Sequence, residues 1–154
     1  MENKVTVVLA DANEEFRTML RQRMEATGEF HVTGNTGDGE QALELVRRLK
    51  NHGYCVYYLS NIPQDVLDLL RDRGVLDGFD GGVASCEVHV NKPDPKIYKA
   101  LLDKYSLKAE ECVFIDDRLE NVQAAFALGF AGIQMKDSVG TLVRSLATCS
   151  VVIH

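Results

Sequence analysis

Apolar residues in this chain fall into two alternating patterns: short unbroken runs, and longer stretches where they recur every three or four positions. An unbroken run of four to eight marks a strand buried on both faces, and the wider spacing marks a helix with one apolar stripe. Residues 4–10, Lys-Val-Thr-Val-Val-Leu-Ala, predict a strand ending at Asp11. Asn13 then stands where a helix N-cap belongs, and Glu14 and Glu15 suit the positive end of the helix dipole. Phe16, Met19, Leu20 and Met24 carry the stripe as far as Gly28. Phe30 to Thr33 predict a short second strand, and residues 39–50 a helix bearing Ala42, Leu43, Leu45, Val46 and Leu49. Tyr54 to Leu59 predict a third strand, opening onto Ser60-Asn61-Ile62-Pro63. Pro63 suits a first helical turn, since its missing N–H has no intrahelical partner there. That helix continues through Leu67, Leu69 and Leu70 to Gly74. Residues 79–85 make a weaker, glycine-interrupted strand, and Asn91-Lys92-Pro93-Asp94-Pro95 opens a helix through Ile97, Tyr98, Leu101 and Leu102. A strand at 111–115, a helix at 118–128 stopped by Gly129, a strand at 130–135, a helix at 139–147 and a last strand at 149–153 complete the pattern.

Strands alternating with helices throughout predict a mainly parallel sheet covered on both faces. The expected fold is a three-layer α/β/α sandwich of the Rossmann-like or flavodoxin-like kind, a single domain over residues 1–154. A chain of 154 residues buries roughly 70% of its unfolded surface, enough for a full core. Hydrophobic content of 45% and charged content of 26% are those of an ordinary globular protein. A net charge of −6 and a pI near 5.2 argue against an electrostatic grip on nucleic acid or on an anionic membrane. No apolar run approaches the ~20 residues of a membrane span. The opening Met-Glu-Asn-Lys leads straight into a strand without the pattern of a signal peptide, and the expected location is cytoplasmic. Cys55, Cys86, Cys112 and Cys149 form no Cys-x-x-Cys pair, and His31, His52, His89 and His154 no cluster at metal-ligand spacing, which argues against a zinc site or a cysteine nucleophile. Composition leaves the oligomeric state open.

The chemistry concentrates in Glu111-Cys-Val-Phe-Ile-Asp116-Asp117-Arg-Leu-Glu-Asn121. In an open α/β sheet, ligands sit outside the carboxyl ends of the strands, where Asp116 and Asp117 are delivered. Adjacent carboxylates repel, and one pKa rises unless a positive charge lies between them. Mg²⁺, which takes one or two carboxylates together with phosphate oxygens, answers that need. The plainer alternative has Asp117 capping the next helix and Asp116 in solvent. Upstream, Ser60 and Asn61 open a helix whose free N–H groups favour an anion, and Lys92 adds a positive point charge. Each residue alone also has a structural reading, as a cap or a solvated surface charge; together they describe a phosphate site.

Residues 54–135 resemble the haloacid dehalogenase superfamily of phosphohydrolases. Leu59-Ser60-Asn61 is similar to the second motif of that family, whose hydroxyl or amide holds the substrate phosphate. Lys92-Pro93-Asp94-Pro95 is similar to the third, whose lysine neutralises nucleophile and phosphate, and Phe114-Ile115-Asp116-Asp117 to the acidic metal-binding fourth. Asn121 and the Ala-Leu-Gly-Phe run at 127–130 look like members that carry a cap between the first and second motifs. Residues 1–48 resemble instead the receiver domain of response regulators, through Val8-Leu9-Ala10-Asp11-Ala12-Asn13, Phe16-Arg17 and Gly37-Asp38-Gly39-Glu40-Gln41-Ala42-Leu43. A receiver needs an acidic pair after its first strand and a phospho-accepting aspartate after its third; Ala12 and Ser60 stand in those places. A junction near residues 46–54, with a receiver-like half before it and a dehalogenase-like half after it, implies a recombined or engineered chain.

The dehalogenase resemblance implies an Asp-x-Asp motif after the first strand, which reads Asp11-Ala12-Asn13. Asp11 would be nucleophile and metal ligand, and Asn13 could lend its carbonyl to the metal but cannot act as general acid/base. Such help is typically worth ~10²–10⁴-fold, so turnover should suffer by about that much, and the expected lack of a cap leaves nothing to select a substrate or exclude water. The expected set is Asp11 and Lys92 as catalytic residues, Ser60 and Asn61 on the phosphate of a small phosphorylated molecule, and Asp11, Asn13, Asp116 and Asp117 around Mg²⁺. Strand order decides whether the set assembles. In the dehalogenase sheet the strand ending in Asp116 lies beside the first strand; in receiver order three steps, roughly 14 Å, separate them. The continuous apolar run at 111–115 favours the middle of the sheet. The alternatives are an engineered scaffold carrying its motifs without activity, and a receiver-like signalling domain.

Overall fold

The computed structural model describes residues 6–9 and 46–134. Asp11, Asn13 and the elements expected at 13–28, 30–33, 139–147 and 149–153 lie outside the described residues. The described strands are β1 Thr6–Leu9, β2 Cys55–Ser60, β3 Gly81–Ala84, β4 Cys112–Asp116 and β5 Ala131–Gln134. They form one sheet in the order β3-β2-β1-β4-β5, every pairing parallel. Thr6 stands opposite both Cys55 and Cys112, and Leu9 opposite both Tyr58 and Ile115. The strand that ends in Asp116 is therefore the direct neighbour of β1, as the dehalogenase resemblance requires, and the receiver order with its three intervening steps is not adopted.

The unbroken apolar runs of the strands are explained by what covers each face. Successive side chains alternate across a strand, so a strand covered on both sides needs apolar residues at every position. Val7, Val56, Tyr58, Val113 and Ile115 pack on one side with Leu67 and Leu70 of the Gln64–Asp72 helix and with Val46 and Leu49 of the helical residues 46–51. Val8, Leu59, Val83, Cys112 and Phe114 pack on the other with Ile97, Tyr98 and Leu101 of the Pro95–Lys104 helix and Val122 and Ala125 of the Leu119–Ala127 helix. Tyr98, Phe114 and Phe130 form an aromatic triangle there, with ring centroids 5.2 to 6.2 Å apart. Burying each such leucine or phenylalanine contributes roughly 1.5–3 kcal/mol.

Local chemistry sets the element ends. Asp94 caps the Pro95–Lys104 helix by accepting from the Lys96 backbone N–H at 2.9 Å, with Pro95 just inside the start. Pro63 stands one position earlier than expected, as the residue before the Gln64–Asp72 helix and not within its first turn. The strand expected at 79–85 is confined to Gly81–Ala84 and followed by a one-turn helix, Ser85–Val88, which hydrophobic spacing does not predict. Glu87 holds that turn by accepting from the Ala84 backbone N–H at 3.0 Å, and His89, at φ 61°, ends it. Gly82 is required by close approach: a Cβ there would run into the ring of Tyr58. Its backbone N–H donates to the Tyr105 hydroxyl at 2.7 Å, and that hydroxyl donates to the Gly82 carbonyl at 3.0 Å, so one side chain meets both backbone polar groups of Gly82, with Lys104 Nζ also on the carbonyl at 3.2 Å. Among the described residues no helix is long and apolar enough to cross a membrane.

Candidate active site

The site residues that the described chain contains, Ser60, Asn61, Lys92, Asp116 and Asp117, come from two strand ends and one loop. β2 ends in Ser60, β4 ends in Asp116 with Asp117 following, and Lys92 arrives on the segment between the Ser85–Val88 turn and the Pro95–Lys104 helix. All lie on the carboxyl side of the parallel sheet, where loops can surround a ligand.

Asp116 is the hub. It is 1% exposed, yet its two oxygens are filled from three directions. Lys92 Nζ donates to Oδ2 at 2.9 Å, Asn121 Nδ2 donates to the same oxygen at 3.0 Å, and the Arg118 backbone N–H donates to Oδ1 at 2.9 Å. Both side chains of the Lys92–Asp116 pair are wholly buried. A buried ion pair persists only when further hydrogen bonds satisfy its remaining lone pairs, and Asn121 and Arg118 supply them. The Tyr98 hydroxyl in turn donates to the Asn121 carbonyl at 2.7 Å, tying the Leu119–Ala127 helix to the Pro95–Lys104 helix beneath the site. Asp117 reaches solvent. Partial burial, followed by the hydrogen bond and charge of the adjacent Asp116, pushes its carboxyl from 3.8 up to about 6.

Ser60 is completely buried, and its Oγ has no hydrogen-bond partner among the described residues. A buried hydroxyl without a partner costs free energy comparable to a lost hydrogen bond, and such atoms mark ligand or water positions. Asn61 behaves differently from expectation. Ser60 and Asn61 precede the helix start at Gln64, so they do not form its first turn. The Asn61 amide reaches instead across 31 residues to the backbone of Lys92: Oδ1 accepts from the Lys92 N–H at 2.8 Å, and Nδ2 donates to the Lys92 carbonyl at 3.2 Å. A cleft of about 600 Å³ opens beside these two loops, bordered by Asn61, Pro63, Cys86, His89 and Asn91 among others.

The structure thus brings Lys92 and Asp116 into contact, with Asp117 next in the chain, and links Asn61 to Lys92. Asp11 and Asn13 lie outside the described residues, but β1 runs toward them in register with β4, Leu9 facing Ile115 one residue before Asp116. Among the described residues no three His, Cys, Asp or Glu side chains converge as a metal set. Two roles escaped the sequence: the Arg118 N–H on Asp116, which follows from the turn after β4, and Asn121 as the second donor to Oδ2. Asn121 stood out in the sequence through family resemblance alone; its position within the helix that starts directly after the acidic pair was the available physical signal.

Comparison with known proteins decides the family. The model of the haloacid dehalogenase-like hydrolases matches residues 5–129. The chain belongs to the haloacid dehalogenase-like hydrolase family. That match crosses residues 46–54 without a break, so the comparisons lend no support to a receiver half, a junction or an engineered origin. The sesquiterpene phosphatase astK of Aspergillus oryzae is 38% identical over 121 residues, covering 77% of this chain and 62% of its own. Bifunctional epoxide hydrolase 2 of Rattus norvegicus is 39% identical over 105 residues, 65% of this chain and 19% of its own. The chain therefore spans less than two thirds of each of these relatives. Among solved structures, an uncharacterised protein from Corynebacterium glutamicum superposes with a TM-score of 0.71 at 20% identity, covering 97% of this chain and 98% of its own. A family enzyme from Bacteroides thetaiotaomicron, solved in complex with magnesium and inorganic phosphate, gives 0.61 at 19% identity over 90% and 98%. At such identities the superpositions establish the haloacid dehalogenase-like fold.

Proposed function

We propose that this family member is a Mg²⁺-dependent phosphohydrolase-type protein whose turnover of small phosphomonoesters is restricted by Asn13. The observation that carries the reading is Ser60 Oγ, a buried hydroxyl with no described partner, at the same end of the sheet as the buried Lys92–Asp116 pair. A phosphoryl oxygen is the acceptor such a hydroxyl lacks. The phosphate-binding relatives support the same class: astK is a phosphatase by name, and the Bacteroides thetaiotaomicron enzyme was solved with magnesium and phosphate.

The donor set fits a hard cation. Asp116 and Asp117 are oxygen ligands, and the raised Asp117 carboxyl is what a site built for positive charge shows without its ion. Asp11 and the Asn13 carbonyl would complete the set. When bound, Mg²⁺ would neutralise charge on the phosphoryl oxygens. The remaining tasks fall to the chain. The Asp11 carboxylate would attack phosphorus as the bond to the leaving oxygen breaks. Ser60 Oγ would donate to one phosphoryl oxygen, and Lys92, held by Asp116, would balance the charge of nucleophile and phosphate. The rest of the ester would lie in the cleft bordered by Asn61, His89 and Asn91. Asn13 carries no exchangeable carboxylic proton, so the leaving oxygen would depart unassisted.

The test is hydrolysis of p-nitrophenyl phosphate with and without Mg²⁺, in wild type and in Asp11→Asn. Slow release of phosphate that needs both the cation and Asp11 is expected. Release unchanged by Asp11→Asn, or no binding of inorganic phosphate in the presence of Mg²⁺, overturns the reading.

A further inference from the structure

We infer that Asn61 is a positioning residue for Lys92 and not a ligand of the phosphate. This rests on the assignment of Lys92 proposed above for what it implies about phosphate, though not for the clamp itself. An asparagine amide offers one carbonyl acceptor and one NH₂ donor group, and Asn61 directs both at a single partner, the backbone of Lys92. The pairing copies the hydrogen-bond pattern between two strands, with a side chain in place of one of them. It also fixes both peptide groups that flank the Lys92 Cα. The side chain is then left few ways to run, and its Nζ arrives at Asp116 Oδ2 at 2.9 Å with no exposed surface.

The need for such a clamp follows from where Lys92 stands. It is on a loop, not on a strand or helix, while Ser60, Asn61, Asp116 and Asp117 are each at a strand end or one residue beyond it. A lysine has four rotatable side-chain bonds, and holding its charge at one point costs side-chain entropy. Pro93 immediately after Lys92 has no N–H to offer, so this stretch is ordered by the Asn61 pair together with the turn in which the Asp94 N–H donates to the Asn91 carbonyl at 2.9 Å and with the Asp94 cap behind. Anchoring the loop through the Asn61 amide places the cost of order outside the reacting centre. It also commits the Asn61 side chain to the loop, so that Ser60 is the side chain at this strand end left to meet phosphate.

Asn61→Ala tests this, with Asn61→Ser as the milder variant should the first fail to give a native circular dichroism spectrum. The first readout needs no substrate: acetylation of lysines by acetic anhydride, followed by mass spectrometry. Lys92 should be protected in the wild type and labelled in Asn61→Ala, with labelling of the exposed Lys96 and Lys99 unchanged. The second is affinity for inorganic phosphate with Mg²⁺ present, which should fall about tenfold, the usual consequence of one or two lost hydrogen bonds. On a Lys92→Met background the same substitution should cost nothing further. Persistent protection of Lys92 in Asn61→Ala, or losses that add fully across the double variant, overturn the inference. Labelling as expected in a wild-type protein that binds no phosphate leaves the clamp standing and removes the phosphohydrolase reading instead.

Discussion

The ammonium of Lys92 and the carboxylate of Asp116 meet at 2.9 Å with neither side chain reaching solvent. Twenty-four residues separate them, and each is held by its own supports, Lys92 through its backbone and Asp116 through Asn121 and Arg118.

Removing one member of a buried pair strands the other. Lys92→Met should destabilise the protein by about 3–5 kcal/mol and lower its melting temperature by roughly 6–20 °C. Replacing both members, Lys92→Met with Asp116→Leu, should recover part of the loss while abolishing phosphate affinity. Chemical denaturation of the three proteins checks this; equal stability of Lys92→Met and wild type would mean the pair is solvated.

Asp117 links stability to pH. Its carboxyl is raised to about 6, so the folded state holds that proton more tightly than the unfolded state does. Stability without metal is therefore reduced above pH 6 by the ionised carboxylate, and this reduction fades as pH falls below about 6. Asp117→Asn removes the titration. The variant should melt higher than wild type at pH 7.5 without Mg²⁺, and that advantage should shrink to a minor part by pH 4.5. Saturating Mg²⁺ at pH 7.5 should reverse the order, because only the wild type keeps the ligand. Parallel melting curves at both pH values would contradict the account.

Leaving-group dependence reports on Asn13. Without a general acid, p-nitrophenyl phosphate should be cleaved far faster than an alkyl phosphate, whose alkoxide needs a proton. Asn13→Asp should raise turnover of the alkyl ester by about 10²–10⁴-fold and flatten the dependence. Steady-state rates on the two esters decide it.

Burial and the nearby Glu111 and Glu110 carboxylates push the Cys112 thiol up to about 12. It should stay unreactive toward iodoacetamide at pH 8 and become labelled only in denaturant, while the part-exposed Cys55 and Cys86 react in the native protein. Peptide mapping after labelling reads the difference.

Much of the fold was legible because its strands are covered on both faces. The apolar run at 111–115 favoured the middle of such a sheet, and the observed order, with β4 beside β1, decides between the two strand orders that the motifs left open. Ser60, Asp116 and Asp117 were legible as polar residues placed at strand ends, and Lys92 as a charge just ahead of a helix start. The contact Asn61 makes was not: next to a helix start it reads as a cap or a phosphate ligand, and the backbone its side chain meets is 31 residues away. The Ser85–Val88 turn was hidden for another reason, since four residues carry too little periodicity to register and the turn is held by contacts such as Glu87 to Ala84 and the Ser85 hydroxyl to the Ile62 carbonyl. The receiver-like look of residues 1–48 drew on short local matches, whereas the family match runs from residue 5 onward.

The central place of β1 has a consequence for how the protein is made. One neighbour, β2, begins at Cys55, but the other, β4, begins only at Cys112. During synthesis β1 must wait for roughly a hundred further residues to leave the ribosome before its second flank is covered. Until then it presents an apolar strand with an open edge, the kind of surface that recruits other nascent chains. Ribosome-bound fragments ending before residue 112 should accordingly depend on chaperones, and those ending after β5 should not.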